Sequence, residues 1–384
     1  MAKLSEKYQR TYLREYAKEA EKNALIWIST DDYLAECLDI HEQCHLDYSL
    51  QQQLSSWLFM LRMKRSPELL GYKTAIQSND MESLHLSLRQ SAMIKHVTQG
   101  VDSGCDHSIN VWTTLEILAA GLFDRVPLLL PEKLGMSDNG HPVNLAMTNL
   151  MMALWYKRAD FAVDARKRAQ KVLTTKQTAS DMFILSYLMA LLDEDVTEAG
   201  TQLDLYCKSV SALREPGLTK LHKMFWPYAH GLYNLAYIVL GKDKASAMPK
   251  PTAECFMDDL AEWQNKHNYR HGPLFIEYPK PIDLINTLIS CTPPEFCLHQ
   301  PYLDTDKKYK NTRYLHADLF EQQMIKIILE NMNSQDDKAG EALAPSGPDL
   351  TKYGPASDVN AHQRQVVQDY RARSDTPEYP ARRL

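Results

Sequence analysis

Leu150-Met151-Met152-Ala153-Leu154-Trp155 and, 37 residues later, Tyr187-Leu188-Met189-Ala190-Leu191-Leu192 decide the fold. Each runs into a charged turn, Lys157-Arg158-Ala159-Asp160 in the first case and Glu194-Asp195-Val196-Thr197 in the second. Each turn leads into a second helical segment, ending near Leu173 and near Val210. Repeating helix pairs at this spacing are the mark of hairpins stacked in a tetratricopeptide- or HEAT-like right-handed array. A third apolar helix, Trp226 to Leu240, continues the series at a drifted spacing.

Working outward, the same helical period recurs. Tyr8, Tyr12, Leu13, Tyr16, Ala17 and Ala20 mark one face of a charged helix over about Lys3 to Asn23. Thr30 is read as the N-cap of a helix whose first turn carries Asp31 and Asp32 on the positive end of the dipole. Leu50, Leu54, Trp57, Leu58 and Leu61 continue the pattern until Lys64-Arg65-Ser66-Pro67. Asn79-Asp80-Met81-Glu82 opens a helix that Gly100 closes. Ile109, Trp112, Leu115, Leu118 and Leu122 place another between Asp106 and Phe123, before a long connection from Arg125 to Pro142. Thr252 is read as the cap of a helix to about His267, and two further helices fall at Ile282 to Ser290 and at Ala317 to Met332. No stretch alternates convincingly as a strand. The class expected is all-α: an N-terminal helical region over 1–100, a helical-hairpin domain over 101–332 sharing one core with it, and a disordered tail over 333–384. That tail holds Pro345, Pro348, Pro355, Pro377 and Pro380 and few large apolar groups, too little to offset chain entropy. Asp358 to Arg373 is its one expected short helix.

The composition agrees. Of 384 residues only 14 are glycine, and 44% are hydrophobic against 24% charged, which is globular and excludes a chain disordered throughout. A net charge of −6 argues against a general nucleic-acid binder. The 7 cysteines stand singly with no CxxC pair, as expected of free thiols in a reducing compartment. The first residues show no apolar signal segment, and the longest apolar run, Phe183 to Leu192, is too short for a membrane span. A cytoplasmic location without membrane contact is therefore expected.

His41-Glu42-Gln43-Cys44-His45 reads H-E-x-x-H. On a helix this spacing sets two imidazoles on one face for zinc, with Glu42 as general base and Glu68 or Glu82 as candidate third ligand. A chance match somewhere in a chain of this composition is on the order of 3%, and Asp39 and Asp47 give the flanks a charge that buried zinc helices avoid. An exposed polar helix face is the reading preferred here, so no metal or other cofactor is expected. Cys291, Cys297 and His299 fit no common zinc module, and Cys105, Asp106 and His107 are neighbours in sequence that rarely point at one another.

Charge is segregated more sharply. Between Trp27 and Leu61 there is no Lys or Arg, but Asp31, Asp32, Glu36, Asp39, Glu42 and Asp47. Between Gln177 and Cys207 there is again none, but Asp181, Asp193, Glu194, Asp195, Glu198 and Asp204. Lys157 to Lys176, in contrast, is basic. Such blocks solvate a helix face, or steer a partner of opposite charge. On the second reading Asp31, Asp32, Glu36, Asp193, Glu194, Asp195 and Glu198 are the partner-binding residues.

The stretch from Asn110-Val111-Trp112-Thr113-Thr114-Leu115-Glu116 through Asn149-Leu150-Met151-Met152-Ala153-Leu154-Trp155-Tyr156 to the Ala-, Leu- and Tyr-rich hairpins ending at Tyr237 resembles helical immunity proteins of bacterial polymorphic toxin systems. Among them it is similar to the immunity protein 49 family. The resemblance covers about a third of the chain and assigns no residue a role. It implies an all-α cytoplasmic protein, not an enzyme, that neutralises one cognate toxin in a 1:1 complex by covering its active site. A cationic toxin would suit the acidic stretches. The alternatives from other classes are a helical-repeat scaffold that binds peptides or proteins, and a zinc hydrolase using His41, Glu42 and His45.

Overall fold

The computed structural model describes residues 4–22, 26–63, 67–99, 104–214, 218–299 and 312–336. The chain is all-α. Helices run in the order α1 Glu6–Lys22, α2 Thr30–Cys44, α3 Leu50–Met63, α4 Glu68–Ser78, α5 Met81–Val97, α6 Val111–Ala119, α7 Val126–Leu129, α8 Pro142–Tyr156 and α9 Ala159–Leu173. They continue with α10 Ala179–Leu192, α11 Val196–Val210, α12 Lys220–Met224, α13 Pro227–Leu240, α14 Lys242–Ser246, α15 Asp258–Lys266, α16 Leu284–Ser290 and α17 Ala317–Asp336. One hydrophobic cluster extends from Tyr12 to Ile328, so residues on both sides of position 100 share a core.

The two quoted apolar segments are the inner helices of two hairpins, α8 with α9 and α10 with α11, and α8 packs on α10. Lys157 and Glu194 take left-handed backbone conformations at the two turns, which closes both hairpins at matching positions. The array goes no further. Helix α13 lies against α6 instead of pairing with a following long helix, because α14 is a five-residue piece.

Helix α6 is the centre of the fold. Every residue from Val111 to Ala119 except Trp112 is buried. Its last carbonyls therefore cannot reach water and need partners in the core. Asn234 of α13 donates to Leu118 O at 3.0 Å, and Gln264 of α15 donates to Ala119 O at 2.8 Å. The Gln264 amide also lies 3.1 Å from His85 Nδ1, whose other ring nitrogen donates to Arg270 O at 3.2 Å. Gly231 lets α13 approach, since a Cβ there would collide with the Leu115 carbonyl.

Several expected boundaries move. Ser29, not Thr30, caps α2. Thr252 does not open a helix: its amide and hydroxyl both donate to Asp204, and α15 starts only at Asp258. Helix α4 was not anticipated. Leu298–His299 and Tyr314–Leu315 form a two-residue antiparallel ladder, contrary to the expectation of no strand. Helix α17 continues to Asp336, into the start of the expected tail; the rest of that tail, with the expected helix at Asp358 to Arg373, lies outside the described residues.

Two predictions follow from this core. Gly231→Ala should lower stability by about 2–3 kcal/mol in urea unfolding, because backbone rather than a flexible side chain must yield. Burial holds His85 and His230 neutral down to about 3. The unfolded chain protonates both near 6.5, so each removes about 1.4 kcal/mol per pH unit as pH falls below that value. Urea unfolding at pH 7.5 and 5.5 should show the loss, and His85→Gln should make it shallower.

Candidate functional site

The first acidic stretch folds as α2 and the turn into α3. Ser29 and Asp32 form a reciprocal cap, each side chain accepting from the other's backbone N–H at 3.1 Å. Tyr33, Cys37 and His41, four residues apart, make one buried stripe. It is anchored by the Tyr33 hydroxyl on that of Tyr278 at 2.7 Å and, one turn on, by His45 edge-on to Trp57 at 4.7 Å. Leu34, Leu38 and Ile40 pack half-buried against the core beside the stripe, and the opposite side of the helix is open. Asp31, Asp32, Asp39, Glu42 and Asp47 are exposed, and among the described residues none of them pairs with a Lys or Arg. Glu36 is half-buried and accepts from Trp27 Nε1 at 2.6 Å. Large apolar side chains stand among the acids: Ile28 is 72% exposed, Leu46 69% and Phe59 56%, with Tyr48 and Leu50 also exposed.

The second acidic stretch is spent on the protein itself. Asp193 takes a two-pronged contact from Arg166 of α9, at 2.5 and 2.9 Å. Glu194 pairs with Lys244 of α14. These cations hold both carboxyls below the usual range. Asp195 caps α11 by accepting from the Glu198 backbone N–H at 3.0 Å, and Glu198 accepts from Gln202 at 2.7 Å. Asp204 holds Lys208 at 2.5 Å as well as Thr252. The sequence shows the acids together, but Arg166 and Lys244 lie 27 and 50 residues from their partners. Asp193 and Glu194 therefore fasten the stacked hairpins.

The H-E-x-x-H residues do not assemble a metal site. His41 and His45 are buried, not exposed as the preferred reading had them, with ring centroids 5.9 Å apart, and His45 Nε2 is taken by Ser56 Oγ at 2.6 Å. Glu42 faces solvent. The two candidate third ligands are engaged elsewhere: Glu68 with Lys95 at 2.8 Å, and Glu82 with Arg270. Among the described residues no three His, Cys, Asp or Glu side chains gather as a metal would need. Burial, with the neighbouring His41, lowers the pKa of His45. The two histidines are the lower part of the stripe that seats α2.

The other sequence candidates are structural. Asp106 accepts from Ser108 N, Ser137 Oγ, Asp138 N and Asn139 N at 2.5–3.0 Å, fastening the loop before α8. The Cys291 carbonyl accepts from the buried Arg125, and His299 stacks on His316 at 4.4 Å.

One ionisable cluster escaped sequence reasoning. Lys95 of α5 lies 2.8 Å from Glu68 of α4 and 2.6 Å from Glu116 of α6. Tyr72 donates to the other oxygen of Glu68 at 3.2 Å. The two carboxylates hold the Lys95 ammonium well above its ordinary pKa; Lys95 brings Glu68 below its own, and burial pushes Glu116 above. Nothing in the sequence brings positions 68, 95 and 116 together without knowledge of α4.

Compared with known proteins, the chain matches no family model, no curated protein and no solved structure.

His45→Ala should remove packing and the Ser56 contact and cost about 1–3 kcal/mol of stability. Melting with and without a chelator should coincide in both proteins. A chelator-sensitive wild type would restore the zinc reading.

Proposed function

We propose that this protein binds a cationic protein partner through the outer face of α2 and the turn into α3, and that it acts as an immunity-type inhibitor of one cognate toxin. The observation that carries the reading is the stretch from Ile28 to Phe59, which holds no Lys or Arg of its own, Lys73 of α4 reaching only its edge at Ile28 O, 3.4 Å away. Among the described residues none of the five exposed carboxylates there pairs with a Lys or Arg, and Ile28, Leu46, Tyr48, Leu50 and Phe59 are exposed in the same stretch. Unpaired surface charge of one sign raises the encounter rate with a basic partner. Apolar side chains in the same segment supply area whose burial slows dissociation. A binder of this kind needs a firm scaffold and no reacting groups. Helix α2 meets the first need through its seated stripe, and the resemblance of the central region to toxin-neutralising proteins supplies the partner class.

The face divides the seven acids of the sequence reading into two groups. Asp31, Asp32 and Glu36 belong to it, with Asp32 also capping the helix and Glu36 bonded to Trp27. Asp193 and Glu194 belong to the hairpin fastenings and are not assigned to the interface; Asp195 and Glu198 bond only at the start of α11, without a Lys or Arg partner among the described residues, and lie away from the α2 stretch in sequence.

The test is affinity capture of the tagged protein from its native cells, read by mass spectrometry. One stoichiometric basic protein, toxic when expressed alone, supports the reading. Several substoichiometric partners would replace it with a scaffold. With that partner, Asp31→Lys, Asp39→Lys and Glu42→Lys combined should slow association by about tenfold or more and flatten its salt dependence. Asp193→Lys should lower the melting temperature and leave binding unchanged. Equal affinity in the triple variant would exclude this face.

A further inference from the structure

The outer line of α2 is a row of acids. Asp31, Ala35, Asp39 and Glu42 follow one another at helical spacing and are all exposed, and the three carboxylates pair with no Lys or Arg among the described residues. Asp31 and Asp39 lie about 12 Å apart along the axis, at 1.5 Å per residue. On α3, Phe59 is 56% exposed. It stands one turn after Ser55 and one turn before Arg62, which both meet Glu321 of α17, at 3.0 and 3.6 Å. Helix α17 therefore runs along α3 beside Phe59, and it is the last described element before residues 337–384.

The sequence of those last residues divides by charge. Up to Asp358, the acids Asp337, Glu341, Asp349 and Asp358 outnumber Lys338 and Lys352. Beyond it every Lys or Arg is an arginine: Arg364, Arg371, Arg373, Arg382 and Arg383, against Asp369, Asp375 and Glu378. On the helix expected over Asp358 to Arg373, Arg364, Val367 and Arg371 share one face with Tyr370 at its edge, and Asp369 falls on the other. Arg364 and Arg371 are then about 10 Å apart along the axis, close to the spacing of Asp31 and Asp39. Arginine is also the cation that grips a carboxylate with two N–H bonds. The tether from Asp336 to Arg364 can span up to about 90 Å, several times the radius of gyration of about 20 Å expected of a folded chain of this size. Attachment to the same chain supplies a local concentration on the order of millimolar. The basic block of α9 offers a second copy less, because Arg158 and Arg166 are already engaged with Glu132, Asp160 and Asp193.

We propose that the arginine-bearing segment 359–384 of this chain is the resident occupant of the α2 face. Arg364 and Arg371 seat on the row Asp31, Asp39 and Glu42, and Val367 and Tyr370 cover apolar side chains of the same stretch. A basic partner reaches those carboxylates only by displacing the segment, so the tail sets a threshold that weakly cationic proteins do not pass. The inference rests on the reading of the α2 face as an interaction surface, but it concerns the free protein and requires no partner to be present.

The experiment is carboxyl footprinting of the full chain, free in solution, with a carbodiimide and glycine ethyl ester, read by mass spectrometry. Asp243 and Glu277, exposed and without a Lys or Arg partner among the described residues, serve as references. Arg364→Glu combined with Arg371→Glu should raise the labelling rates of Asp31, Asp39 and Glu42 by about threefold or more and leave the references unchanged. Circular dichroism confirms that the variant folds. Photo-cross-linking from Tyr370→benzoylphenylalanine, in a mixture of light and isotopically heavy chains, then identifies which chain is touched. Links to α2 or to the turn into α3 within one chain are expected. Links between light and heavy chains assign the face to a second copy and overturn the proposal, as do unchanged labelling rates in the arginine variant. The partner reading keeps its own test, capture and charge reversal on α2, so the two can fail separately.

Discussion

A helix buried on all sides must satisfy its polar groups without water, and α6 imposes that requirement on the whole molecule. Its end carbonyls at Leu118 and Ala119 fix Asn234 on α13 and Gln264 on α15, and Gln264 in turn fixes the tautomer of His85 on α5. Its start is held by Asn110, whose amide donates to Leu129 O and whose carbonyl accepts from Thr114. Its one acid, Glu116, requires Lys95. Buried polar groups cost heavily when left unmade, so these pairings define which helices surround α6 more narrowly than apolar contact does. The stacked hairpins are then attached to a centre whose geometry is already set.

Electrostatics acts at two levels. Within the core it selects neighbours. On the surface it sorts the acidic side chains by where their counterions lie. Asp193 and Glu194 face cations of adjacent helices, and their charge is consumed in joining α9 to α10 and the second hairpin to α14. Among the described residues, Asp31, Asp32, Asp39 and Glu42 of α2 pair with no Lys or Arg. Two stretches that look alike in composition thus differ in what they leave for another molecule, and contacts distant in sequence make the difference.

The helical class, both hairpins and most helix starts were legible because local chemistry decides them. Asp80 caps α5 where the Asn-Asp-Met-Glu signature precedes an apolar period, and the charged turn Glu194-Asp195-Val196-Thr197 is where α11 starts. Helix α4 was not legible. Leu70, Gly71, Tyr72, Ala75 and Ile76 are all buried, so the segment lacks a clean amphipathic period, and Gly71 argues against a helix until Ser87 is seen packed where a Cβ would fall. Thr252 misled because its partner, Asp204, lies 48 residues away. The acidic face was half legible: charge and solvation could be read at Asp31, Asp39 and Glu42, but the loss of Asp193 and Glu194 to the interior economy of the hairpins could not. The two histidines of the H-E-x-x-H pattern share a face as their spacing dictates, and that face turns inward.

Helix α2 divides its sequence between two masters. Tyr33, Cys37, His41 and, one turn on, His45 are committed to the seat, with Leu34, Leu38 and Ile40 packed half-buried beside them, while Asp31, Ala35, Asp39 and Glu42 are exposed. Substitutions among the latter leave the core intact, so natural variation can revise what the outer surface recognises at almost no cost to folding. The stripe is the fixed register of the helix, and the outer positions are the part that can be rewritten.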